Sequence, residues 1–116
     1  MSEYKARFHI DDLSKWALLL TNVSNLLDVI ANKKYHIEVL ANAEAVKYYD
    51  TTQDLDANIN TMEALHNRGI EFIACNNALM SNHIEKSNII SFIDIVPAGV
   101  LELVEKQSEG YAYIKP

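Results

Sequence analysis

The stretch Gly69–Leu79, GIEFIACNNAL, holds a helix stop, a short strand and a helix start in succession. The glycine closes a helical segment that carries Ile59, Met62, Glu63, Leu65 and His66, because glycine adopts the left-handed conformation that ends helices. Ile70–Ala74 reads as a strand, and a short helical segment is predicted to begin near Asn76 or Asn77. Cys75 therefore lies at a strand's carboxyl end. A helix–strand–helix passage of this kind is the repeating unit of α/β folds, in which crossover helices return each strand in the same direction.

The same alternation extends outward. Tyr4–Ile10 is predicted as a strand, and Asp11-Asp12 offers a side-chain oxygen to cap the next helix. From Leu13 the apolar residues Trp16, Ala17, Leu20, Val23, Leu27 and Ile30 recur at steps of three and four, one face of a helix that ends at Asn32-Lys33-Lys34. Tyr35–Ala41 is a second strand and Ala43–Tyr49 a short helix; the polar run Asp50–Asp56 is the expected mobile loop. Beyond the opening stretch, Ser91–Val96 gives a fourth strand, Pro97 suits the first turn of a helix that Gly110 stops, and Tyr111–Lys115 gives a fifth strand. The expectation is a single domain over residues 1–116, an α/β sandwich with a mainly parallel sheet.

Composition narrows the function classes. The 116 residues carry a net charge of -6, which opposes long-range attraction to phosphate backbones and anionic lipid, so neither nucleic acid nor membrane is an expected partner. No apolar run approaches the roughly 20 residues that cross a bilayer, and the amino-terminal residues enter a strand-like pattern without a signal-peptide core. One cysteine excludes an intrachain disulfide and fits a reducing compartment. A cytoplasmic, unprocessed protein is expected. The glycines Gly69, Gly99 and Gly110 make neither a Walker loop nor a G-x-G-x-x-G turn, and no G-x-S-x-G elbow occurs. His36, His66 and His83 lack a metal-ligand spacing, so no cofactor and no metal is expected.

In an open α/β sheet the ligand crevice lies beyond the carboxyl ends of the strands. That rule gathers His9, Ala41-Asn42, Cys75-Asn76-Asn77 and Val96–Gly99 on one rim. Cys75 is the one strong nucleophile among them. A thiol at a helix start accepts free backbone amides and feels the positive end of the helix dipole, both of which favour the thiolate, the attacking form. Asn76 and Asn77 are candidates to cap that helix or to donate to the sulfur, Asn42 is a candidate binding residue, and His9 is a candidate proton-transfer partner. The competing reading makes Cys75 a small buried hydrophobe and His9 a hydrogen-bonded structural side chain. Asp54 and Asp56 are read as solvated surface, and Tyr48, Tyr49, Tyr111 and Tyr113 as core or interface rings.

The segments RFHIDDLSKW, EVLANAEAV, GIEFIACNNAL and IVPAGVLELVEKQSEGYAYIKP, in this order and spacing, resemble the DsrE/DsrF-like superfamily of small sulfur-relay proteins, and specifically its stand-alone branch. The resemblance covers Lys5 to Pro116. It implies a three-layer α/β/α domain with a five-stranded sheet that assembles into homotrimers or hexamers. In relay members a cysteine at the position of Cys75 carries sulfane sulfur as a persulfide, received from and passed to partner proteins. Ala43 departs from the pattern, standing where a glycine is expected. Two functions are expected on this basis: a persulfide carrier or sulfurtransferase acting through Cys75, with sulfur-donor and sulfur-acceptor proteins as partners, or a non-catalytic homo-oligomeric binding module whose rim is a docking pocket.

Overall fold

A computed structural model describes residues 3–53 and 59–116. Five strands, β1 (Glu3–Ile10), β2 (Lys34–Ala41), β3 (Glu71–Cys75), β4 (Asp94–Val96) and β5 (Ala112–Ile114), form one sheet in the order β4-β3-β2-β1-β5. Every neighbouring pair is parallel. The helices are α1 (Trp16–Ile30), α2 (Ile59–Asn67), α3 (Asn76–Ser81) and α4 (Gly99–Ser108), with a 3-10 segment over Ala43–Tyr49. No helix among the described residues is long and apolar enough to cross a membrane.

The two faces of the sheet differ in chemistry. Phe8, Ile10, Val39, Ala41, Phe72 and Ala74 point into the main core against Trp16, Leu19, Val23 and Leu27 of α1. Trp16 anchors this layer: its Nε1 donates to Ala45 O at 3.0 Å and its ring stacks on Tyr48 at 4.7 Å. Tyr49 closes it from the other side, donating to Ile73 O at 3.2 Å. Because strand side chains alternate, Arg7, His9, Glu38, Leu40 and Ile73 occupy the opposite face, and all are buried there. That face lies beneath α4, the third layer of an α/β/α sandwich.

Several boundaries differ from the sequence reading. The fourth strand shrinks to Asp94–Val96 because Phe92 is drawn out of line to stack on His66 at 4.7 Å and to meet Phe72 edge-on at 6.0 Å. The fifth keeps only Ala112–Ile114. Helix α4 starts at Gly99, two residues after Pro97, with Ala98 extended as its N-cap. Asp50–Gln53, expected within a mobile loop, are instead held in a turn: Asp50 Oδ1 accepts the Thr52 amide at 2.9 Å and hydroxyl at 2.7 Å. Asp54 and Asp56 lie outside the described residues.

Candidate functional site

At the carboxyl end of β3 the chain passes directly into α3, so Cys75 is both the last strand residue and the N-cap of the helix. Helix α4 begins against the same point. A methyl group at Gly99 would sit 3.3 Å from Cys75 Cβ, 3.5 Å from Leu40 Cδ2 and 3.6 Å from Asn42 Cβ, so a side chain here would press on Cys75 and glycine lets the backbone come this close without crowding. The Gly99 N–H uses that proximity to donate to Cys75 Sγ at 3.2 Å. Leu40, Asn42 and Cys75 thus form the floor on which the first turn of α4 rests.

Beside this contact lies an open cavity of about 290 Å³ lined by Asn42, Cys75, Asn77, Ser81, Gly99 and Val100, with the small residues Ala43, Ala78 and Ala98 between them. Among the described residues, the thiol is the one ionisable side chain that lines it. Cys75 is 6% exposed, at the base of the cavity rather than at its mouth. Of the residues nominated from sequence, the fold brings Cys75, Asn42 and Asn77 around one space.

His9 stands behind Asn42. Its Nε2 lies 3.0 Å from Asn42 Oδ1 and its Nδ1 lies 2.6 Å from the Tyr113 hydroxyl. A carbonyl oxygen can only accept, so in the neutral ring Nε2 donates to Asn42 and Nδ1 accepts the phenol proton. Both ring nitrogens are engaged, and the imidazole reaches the cavity through Asn42 rather than by touching the sulfur. With Oδ1 held by His9, Asn42 keeps its NH2 group as the donor for anything that enters. Asn76 takes no part in the cavity: its Nδ2 turns to Met80 Sδ at 3.5 Å, and its buried Oδ1 has no partner.

Tyr113 and Ser81 were not singled out from sequence as site residues. Ser81, the last residue of α3, lines the cavity only because of how that short helix is set against the strand ends. The link from β5 to β1 that makes Tyr113 a partner of His9 spans most of the chain and has no local signature.

Ala43, the residue found in place of an expected glycine, has φ +48°, in the left-handed region that glycine favours. The strain is held by Asn82, whose Nδ2 donates to Ala43 O at 3.0 Å and to Ala78 O at 2.8 Å, latching the loop after β2 to α3. Because the Ala43 side chain is exposed, its removal loses little packing. Ala43→Gly is expected to stabilise the protein by about 0.5–1 kcal/mol in chemical denaturation, the relief of strain exceeding the added freedom of the unfolded chain.

Comparison with known proteins agrees with this architecture. The DsrE/DsrF-like family matches residues 9–116. Among solved structures, a protein of unknown function from Methanobacterium thermoautotrophicum, MTH1491, is 32% identical over 97% of this chain and 99% of its own, with a TM-score of 0.86. The ychN protein from E. coli has the same fold, with a TM-score of 0.76 and 13% identity over 97% of this chain and 99% of its own. No curated protein matches the sequence. With the family pattern running from His9 to the last residue, and a parallel five-stranded sheet that places Cys75 at a strand end, the chain belongs to the DsrE/DsrF-like family.

Proposed function

We propose that this chain is a sulfur-relay protein that carries sulfane sulfur on Cys75. The observation that carries the reading is the Gly99 N–H donating to Cys75 Sγ at 3.2 Å beside a cavity open to solvent. That amide aims a hydrogen-bond donor at the sulfur, in reach of a group that enters the cavity to react with it.

The chemistry balances without an oxidant. The Cys75 thiolate attacks the outer sulfur of a donor persulfide R–S–SH. The donor's S–S bond breaks, R–S⁻ leaves with the bonding pair, and Cys75–S–SH remains. An acceptor thiolate then attacks the terminal sulfur and releases the Cys75 thiolate. The chain has no other cysteine, so no internal thiol reduces the persulfide before an acceptor arrives. Asn42, oriented by His9, and Asn77 supply polar contacts to the incoming sulfur group, and Ser81 adds a hydroxyl. Donor and acceptor are proposed to be thiol-bearing proteins or small molecules that fit a neutral cavity.

The reading includes a homo-oligomer, a trimer or hexamer. Its support is the apolar row that α4 exposes, with Val100 at 69%, Leu101 at 51% and Val104 at 57% exposure, a surface that a second copy would cover.

The alternative, a non-catalytic binding module, is favoured by one observation: Cys75 is almost wholly covered, as a packing residue would be. Intact-mass analysis separates the two. After exposure to a persulfide donor, the protein is expected to gain the mass of one sulfur atom and to lose it on addition of an acceptor thiol. A protein that gains no sulfur under these conditions is the binding module.

A further inference from the structure

Helix α4 lies over β2 and runs against it, with Gly99 above Leu40 and Asn42 and, one turn later, Glu102 above Glu38. Glu38 is 1% exposed, and neither of its oxygens meets a hydrogen-bond donor. A buried carboxylate in that situation is costly unless it is protonated or paired with a cation. The nearest strand cation does not pair with it. Arg7, the register neighbour of Glu38 on β1, sends its guanidinium to Gln107 Oε1 and over the Tyr113 ring at 4.7 Å. The other register neighbour, Glu71 on β3, carries a like charge.

What faces Glu38 from α4 is a carboxylate. Glu102 lies within hydrogen-bond reach, with Lys106 Nζ 3.9 Å from its Oε2. Two carboxyl groups bond only if at least one of them carries a proton. Here the buried group keeps it and donates, while Glu102, beside Lys106, accepts.

We propose that Glu38 and Glu102 form a proton-held clasp that seats α4 on the sheet and so keeps the Gly99 amide against Cys75, making the two glutamates positioning residues for the thiol. The helix has little else to hold it at this end, since Gly99 is its one fully buried residue. Loss of the shared proton sets two negative charges face to face in a dry layer, and α4 is the element that yields. Its first turn then lifts from Cys75, and a thiol that was 6% exposed opens to solvent. Burial, then the hydrogen bond and the negative charge of Glu102, push the Glu38 carboxyl up to about 9, with Glu71 adding to the rise and Lys106 opposing it. The phenols of Tyr49, from the far side of the sheet, and of Tyr111, under Lys106, are also within electrostatic reach. The clasp is therefore closed at neutral pH and opens in mild alkali.

This device acts on the thiol whatever Cys75 carries, so its test is independent of sulfur transfer. Alkylation of Cys75 by iodoacetamide is measured from neutrality to alkaline pH in the wild type and in Glu38→Gln, whose amide still donates to Glu102 but cannot ionise. The ratio of the two rates cancels ordinary ionisation of the thiol. It is expected to stay near one at neutral pH and to rise to about tenfold as the pH passes Glu38's titration. At neutral pH Glu102→Ala, a helix-compatible change that removes the acceptor, is expected to alkylate about tenfold faster than wild type, whereas Glu102→Gln restores the slow rate. Hydrogen exchange over α4 in the same proteins should follow the alkylation rates. A wild-type to Glu38→Gln ratio that stays flat into alkali overturns the proposal. It does so even if Glu102→Ala fails to fold, because the ratio is read on two proteins that keep the bond.

Discussion

Cys75→Ser is expected to abolish sulfur uptake completely while the fold persists. Serine is close to isosteric, and its hydroxyl accepts the Gly99 N–H in place of the sulfur, so the first turn of α4 stays anchored. A stability change within about 1 kcal/mol of wild type is expected, the scale of one exchanged hydrogen bond. The chemistry does not survive the change, because a neutral hydroxyl is a poor nucleophile toward a persulfide and no other thiol exists in the chain. Mass spectrometry over time after adding a persulfide donor reads the outcome directly. A serine variant that gains as much sulfur as wild type would place the uptake elsewhere and return Cys75 to a packing role. In the same assay His9→Ala should slow uptake but leave the final stoichiometry at one sulfur. The imidazole orients Asn42 through the 3.0 Å bond and never holds sulfur itself.

The second large effect is on stability against pH. The Glu38 carboxyl rises from 4.5 to about 9 on folding, burial being the largest cause. The folded state therefore keeps a proton that the unfolded chain releases. The stabilisation is complete below the unfolded value, declines as pH rises through the window between the two values, and is gone above the folded one. Within that window the slope approaches about 1.4 kcal/mol per pH unit for the single proton. Urea denaturation at acidic, neutral and mildly alkaline pH should show the wild type losing stability steadily, and Glu38→Gln should flatten the curve. The other shifted carboxylic acids do not mimic this trend. Asp12 is held low by the Ser14 hydroxyl and amide; for Asp50, burial pushes upward but the Thr52 and Gln53 hydrogen bonds outweigh it. Both contribute stability that is lost as pH falls below the carboxylate range, the opposite end of the scale. Equal slopes for wild type and Glu38→Gln would mean that Glu38 ionises freely in the folded protein.

Much of the fold is legible one segment at a time. Asp12 caps the 3-10 turn ahead of α1 with Oδ1 accepting the Ser14 amide at 2.9 Å, as its place before an apolar periodic run predicts. Gly69, with φ +97°, and Gly110, with φ +89°, end helices for the reason their position implies. Alternating strands and helices then leave a parallel sheet as the consistent solution, and the sheet brings the ends of β1, β2 and β3 together. Cys75 at such an end can be read from GIEFIACNNAL alone. The residues that cannot be read this way are those whose neighbours are distant in sequence. Phe92 shortens β4 because His66 and Phe72 offer it rings to pack on, and no local pattern encodes that pull.

The sequence by itself determined the order of elements, the direction of the strands and the presence of a single thiol at a strand's end, because each depends on periodicity, capping and turn chemistry within a few residues. Only the tertiary structure decided what surrounds that thiol. The crossing of α4 over β2 set the Gly99 amide 3.2 Å from Cys75, the pairing of β5 with β1 gave His9 to Tyr113 and Asn42, and the same crossing turned two ordinary glutamates, Glu38 and Glu102, into a proton-sharing pair. A side chain's type is written in the chain, but its hydrogen-bond partners and its access to water are properties of packing, and reactivity and ionisation obey the packing.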